Sequence, residues 1–152
     1  MGWLIKCTDS TCGQKSWASN IVDLIAQHRD TEGWFICPCG KHGYIEKKFP
    51  MQEGGEHWEP FLRGIIPLGE ANEVYQPFVF LVSYKSTGEA TDVWFSYYKD
   101  LRSSGGRLKL GYGPGGPPVL SKSMFLSLVS RLVQTKCFSS NEVVSAVGAS
   151  KS

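Results

Sequence analysis

Apolar and polar positions change rhythm along this chain, and each change predicts an element. Trp3-Leu4-Ile5 is an apolar run entering a polar turn, which reads as a strand. Ile21, Leu24, Ile25 and His28 then recur at helical spacing, with Ser19 or Asn20 placed to cap the helix, Asp23 in its first turn and Thr31 to Gly33 ending it. Trp34-Phe35-Ile36 is apolar again, and Tyr44 to Phe49 reads as a further strand. After a polar loop from Pro50 to Pro60, Phe61 to Leu68 is a strand interrupted at Arg63-Gly64. Phe78 to Tyr84 is a buried strand, Ser86 to Glu89 a turn, and Val93 to Tyr98 the returning arm of a hairpin. Arg107 to Tyr112 alternates basic and apolar side chains. Phe125, Leu128, Val129, Leu132 and Val133 form a wide stripe on a helix from Met124 to about Lys136, and Ser139-x-x-Glu142 is a capping box for a short last helix ending near Gly148. The class expected is α+β. N-terminal strands with an inserted helix occupy residues 1–49 and a polar acidic loop 50–60. An antiparallel sheet packed by a C-terminal helix occupies 61–148, with a tail at 149–152.

The five cysteines change this picture. Cys7 and Cys12 are spaced C-x4-C, Cys37 and Cys39 are spaced C-x-C, and Cys137 stands alone. The opening residues run into charged and polar side chains at Lys6 to Asp9 and lack the apolar core of a secretory signal, so a disulfide framework is not expected. Two close pairs then read as halves of one tetrahedral Zn²⁺ site, each turn supplying two thiolates. The flanks agree: each half runs Gly-Trp, an apolar stretch, a first Cys, then a polar Gly-bearing turn with a second Cys. Gly40 after Cys39 permits a positive φ, which aims amide N–H groups at sulfur. The expected ligands are Cys7, Cys12, Cys37 and Cys39, with His28 or His42 as alternatives should the tight second pair supply only one thiolate.

The stretch Cys37-Pro38-Cys39-Gly40-Lys41 resembles the C-P-x-C-G knuckle of zinc-ribbon and rubredoxin-knuckle proteins. It departs by one residue missing between the cysteines, and the first pair has four intervening residues rather than two. The resemblance covers residues 1–49 and implies a structural zinc module. A closed four-thiolate site leaves zinc no open position for water, so its role is to hold a thin layer together rather than to catalyse.

Charge adds one asymmetry. The net charge is only +2, yet residues 101–141 carry Arg102, Arg107, Lys109, Lys122, Arg131 and Lys136 and no carboxylate. Such a stretch presents a positive face to nucleic acid or to an acidic protein, or neutralises the acidic residues Glu53, Glu56, Glu59, Glu70 and Glu73 of the same chain. Trp94, Tyr97, Tyr98 and Tyr112 lie near it, as stacking groups or as core. The partner-binding residues expected are Arg102, Arg107, Lys109, Lys122 and Arg131.

Other chemistries fit poorly. Gly111 to Pro118 is rich in glycine, but its prolines remove donors and no Gly-Lys-Ser/Thr follows, so it is not a nucleotide P-loop. His57-Trp58-Glu59 follows the cysteine knuckle instead of preceding it, which excludes a zinc-deaminase arrangement. The last helix has no Arg or Lys with which to read bases. No apolar run reaches the length of a membrane span, and a cytoplasmic protein is expected. The function expected is a zinc-binding, non-enzymatic binding or adaptor protein. A redox-responsive zinc-thiolate protein is the alternative, as is an enzyme using Glu53, Glu56, His57 and Glu59. The sequence specifies neither the partner nor the oligomeric state.

Overall fold

The structure is a computed structural model and describes residues 2–47, 49–50, 57–68, 74–111, 119–134 and 138–148. It divides into two compact units, Met1–Val119 and Leu120–Ser152.

In the first unit, β1 (Trp3–Cys7), β2 (Lys15–Ala18), α1 (Ile21–Gln27) and β3 (Gly43–Glu46) form the N-terminal part. The short strands β4 (Phe49–Pro50) and β5 (His57–Trp58) pair with each other. They are followed by β6 (Phe61–Pro67), β7 (Tyr75–Ser83), β8 (Asp92–Asp100), a 3₁₀ turn at Arg102–Ser104, and β9 (Leu108–Leu110). An antiparallel sheet runs in the order β2-β1-β3-β6-β7-β8-β9. The α+β class expected from the sequence is therefore observed. The β7–β8 hairpin is longer at its open end than the apolar runs predicted, because backbone pairing continues past the last buried side chain to Tyr75↔Lys99.

Alternation sorts the hairpin side chains onto two faces. Phe78, Phe80, Val82 and Trp94 join Trp3, Ile5, Ala18, Ile21, Leu24, Phe35, Ile45, Leu62 and Ile65 in one buried cluster. Tyr98, Leu108 and Leu110 pack at its margin. One apolar core thus joins the cysteine-bearing N-terminal strands to the hairpin. Helix α1 contributes Ile21 and Leu24 to that core. It starts where Asn20 accepts a hydrogen bond from the Asp23 amide at 3.0 Å, while Asp23 accepts from the Ser19 amide at 2.8 Å.

The interruption read at Arg63-Gly64 is a β-bulge: the register against β7 shifts between Leu62 and Gly64. On the opposite edge β6 changes partner at the same place. It pairs with β3 at Phe61 and Leu62, then with Gly33 to Phe35, through Phe35 N to Arg63 O (3.0 Å) and Ile65 N to Gly33 O (2.8 Å). A Cβ on Gly64 would stand 2.4 Å from the Gly33 carbonyl oxygen, so the approach requires glycine there. The Gly33–Ile36 stretch, read from sequence as a strand equivalent to β1, makes only isolated bridges. Its backbone is divided among the α1 end, β6 and the knuckle, and no single neighbour runs alongside it for more than a bridge.

In the second unit, α2 (Lys122–Gln134) and α3 (Ser140–Gly148) are helices. Ser139 and Glu142 form the expected capping box, with Ser139 N to Glu142 Oε2 at 2.7 Å and Glu142 N to Ser139 Oγ at 3.1 Å. Among the described residues, no helix is long and apolar enough to cross a membrane.

Candidate metal centre

Two turns meet at one end of β1 and β3. The first leaves β1 at Cys7. Asp9 shapes it by accepting from Thr11 N at 2.9 Å and Thr11 Oγ1 at 2.6 Å, and the Cys12 amide closes it on the Asp9 carbonyl at 3.0 Å. The second is the knuckle. Cys37 N donates to Lys41 O and Gly40 N to Cys37 O, both at 2.8 Å, with Gly40 at φ 90° as its sequence position implies. The turns are docked by Thr8, whose amide and hydroxyl both donate to the His42 carbonyl at 3.1 and 2.9 Å. An exposed ion pair from Lys41 Nζ to Asp9 Oδ2 adds a second tie.

This docking brings Cys7, Cys12, Cys37 and Cys39 together, with all four sulfur atoms within 4.8 Å of one another. Cys7 Sγ lies 3.6 Å from Cys39 Sγ, and Cys12 Sγ lies 3.9 Å from Cys37 Sγ. All four are free thiols, as a disulfide would need a separation of about 2 Å. Cys7 and Cys37 are buried, Cys12 is half-buried and Cys39 is exposed. Such a set can hold a metal ion, with Cys39 the most exposed of the four residues.

The surroundings treat the thiols unequally. Burial raises the Cys7 thiol, and burial pushes Cys37 up to about 12. The Lys41 backbone amide and then the neighbouring Cys37 bring Cys39 down to about 7. Amide donors from Asp9 to Cys7 Sγ (3.4 Å), from Cys39 to Cys37 and from Lys41 to Cys39 follow one pattern, in which the amide two residues downstream faces each sulfur. Those donors stabilise the anionic thiolate, the form a metal requires.

The histidines are engaged elsewhere. His28 Nε2 lies 3.8 Å from Asp23 Oδ2 beside α1. His42 stacks on Trp34 at 5.5 Å and sits 3.5 Å from Asp30 Oδ2, and neither joins the sulfur cluster.

The basic residues separate. Arg102 grips Asp100 through Nε at 2.8 Å and Nη2 at 2.7 Å, so its charge is spent locally. Arg107 and Lys109 are exposed on and beside β9, while Lys122 and Arg131 belong to α2 in the second unit. Lys99, outside the acid-free stretch, stands directly opposite Lys109. Of the aromatics, Trp94 is fully buried and unavailable for stacking, and Tyr112 lies outside the described residues. Glu53 and Glu56 of the acidic loop also lie outside them; His57 belongs to β5 and Glu59 is exposed. Asp9 and Lys41 were missed as partners of the cysteine turns. Their positions, inside C-x4-C and just after C-x-C-G, are the signal that points to them.

No family model, curated protein or solved structure matches this chain. The thiol cluster and the surfaces around it are the ground for a functional reading.

Proposed function

We propose that the four cysteines hold one structural Zn²⁺ ion in a zinc-ribbon-like N-terminal module, and that the protein is a non-enzymatic binding protein. The observation that carries the zinc reading is the sulfur geometry. A tetrahedron with Zn–S bonds of about 2.3 Å has S–S edges of about 3.8 Å. Two of the six separations, 3.6 and 3.9 Å, bracket that edge, and all six lie within 4.8 Å. Soft thiolates in a closed tetrahedral set favour zinc among common cellular ions. With four protein ligands no position remains for water, so zinc there would hold the Cys7–Cys12 turn against the knuckle. A reducing, cytoplasmic setting suits four unpaired thiols. The exposed Lys99, Arg107 and Lys109 of the first unit support a polyanionic partner, nucleic acid or an acidic protein.

Elemental analysis of the purified protein, with single Cys→Ser variants, tests the zinc reading. The expected result is about one zinc per chain, lost in Cys7→Ser and Cys39→Ser and retained in Cys137→Ser. A fully folded, metal-free wild-type protein overturns it.

A second reading rests on the exposed Cys39, whose sulfur is 3.6 Å from Cys7 Sγ. Peroxide would oxidise these two thiols to a disulfide, itself reduced to water, with release of the metal. Zinc release in step with thiol loss during peroxide titration supports this reading; inert zinc under excess peroxide rejects it.

A further inference from the structure

The β7–β8 hairpin has a second face, opposite the core, and its end towards β9 carries tyrosines and lysines together. In the registers Tyr75↔Lys99 and Lys99↔Lys109, directly opposed residues share a face. Tyr97 joins them two residues before Lys99, its ring 5.1 Å from that of Tyr75. Arg107 immediately precedes β9, two residues before Lys109. The Tyr97 ring also lies against Gly111, where any Cβ would meet it at 1.8 Å.

Lys99, Arg107 and Lys109 are all exposed, and among the described residues none has a carboxylate within ion-pair distance. Like charges placed directly across a ladder repel, so the Lys99–Lys109 pair is a local cost to the fold. The nearest carboxylate in the register, Asp100, is opposite Leu108 on the core side and is taken by Arg102. Tyr75 is 38% exposed and stands directly opposite Lys99.

Cations that meet no carboxylate among the described residues, beside a pair of tyrosine rings, fit a ligand that is anionic along its backbone and flat in its side groups. We infer that this face, Tyr75, Tyr97, Lys99, Arg107 and Lys109, binds single-stranded nucleic acid. Phosphates lie along the cations and a base stacks on the tyrosine pair. A duplex hides its base faces, and an acidic peptide has no use for the rings. The inference deepens the binding reading above by naming its surface and partner. It also shifts that surface from the acid-free stretch to one that includes Lys99 and leaves out Arg102.

Fluorescence anisotropy of labelled single-stranded DNA and RNA oligonucleotides against the full chain at several salt concentrations is the test, with a duplex and poly-glutamate as competitors. Zinc content is measured on the same samples. Lys99→Ala/Lys109→Ala is expected to lower the log–log salt slope by about 1.4, because each single-strand phosphate that a lysine neutralises accounts for about 0.7. Tyr75→Ala is expected to weaken binding about tenfold with the slope unchanged, since stacking carries no charge. Lys85→Ala, an exposed lysine at the other end of the hairpin, is the control expected to change neither. Removing the opposed lysines relieves repulsion, so an unchanged or higher melting temperature for the double variant shows that folding is intact. A zinc-loaded protein that ignores single strands at low salt, prefers duplex or poly-glutamate, or is indifferent to Tyr75→Ala overturns this inference and leaves the zinc reading standing. Binding by a folded protein without zinc does the reverse.

Discussion

Gly43 sits where β1, β3 and the knuckle come closest. A Cβ there would meet Ile5 Cγ2 at 2.6 Å and the Lys6 carbonyl oxygen at 3.0 Å, with the Cys37 amide nitrogen at 3.6 Å. The carbonyl is part of the β1–β3 ladder and Ile5 is fully buried, so neither can yield cheaply. Gly43→Ala is therefore expected to cost about 1–3 kcal/mol of stability, an overpacking penalty, and to loosen the approach of the Cys37 sulfur to the other three. Chemical denaturation checks the first effect and zinc affinity by chelator competition the second; an unaltered midpoint and affinity contradict it. Sequence pattern alone marked Gly40 as a turn glycine but gave no reason to single out Gly43. The atoms that crowd it come from separate stretches of chain. Asp9 and Lys41 differ in that their places in the two turns mark them, yet their meeting across 32 residues belongs to the docking of those turns.

At the scale of elements, local chemistry was the most legible. The α1 cap at Asn20, the capping box at Ser139 and Glu142, and the β7–β8 hairpin all follow from patterns within a few residues. Asn20→Ala should remove the acceptor of the Asp23 amide and lower stability by about 1 kcal/mol, read from the denaturation midpoint. In α3 the Ser139 backbone amide holds the Glu142 carboxyl below its ordinary range. A depressed folded-state pKa means the carboxylate's contribution is present above the unfolded value of about 4.3 and lost as pH falls through the folded one. The amide chemical shifts of Val143 to Val147 are thus expected to lose helical character on acidification, and Glu142→Gln to remove that pH dependence. A wild-type α3 insensitive to acid sinks the prediction. Long-range pairing was where the pattern misled. The Gly33–Ile36 stretch has the apolar content of β1, yet its backbone partners are the α1 end, the bulge of β6 and the knuckle. An apolar run reports burial, and burial is shared by strands and by irregular segments threaded between elements.

Across the first unit, the sulfur site and the sheet are linked through one core. Trp3, Ile5, Phe35 and Ile45 flank the cysteine turns and belong to the same buried cluster as Phe80 and Trp94. Under the zinc reading, a high-affinity chelator is expected to lower the melting temperature of the whole first unit rather than to release only the turns, because the metal's binding free energy is folding free energy. Hydrogen exchange that rises at Thr8 and Gly43 alone, with Phe80 and Trp94 unmoved, contradicts that expectation. Zinc loss is also expected on acidification, since protons compete with the metal for each thiolate, and a zinc-sensitive dye reads it directly.

By itself the sequence determined the α+β class, the hairpin, the helix caps and the four thiols placed in two turns. Each of these depends on residues close along the chain, where periodicity, turn chemistry and capping act directly. Only the tertiary structure decided that the two turns share one sulfur cluster and that His28 and His42 stand outside it. It also decided that Arg102 is consumed by Asp100 and that Lys99 faces Lys109. Those outcomes depend on which strand edges find one another in space, through contacts whose residues lie far apart along the chain.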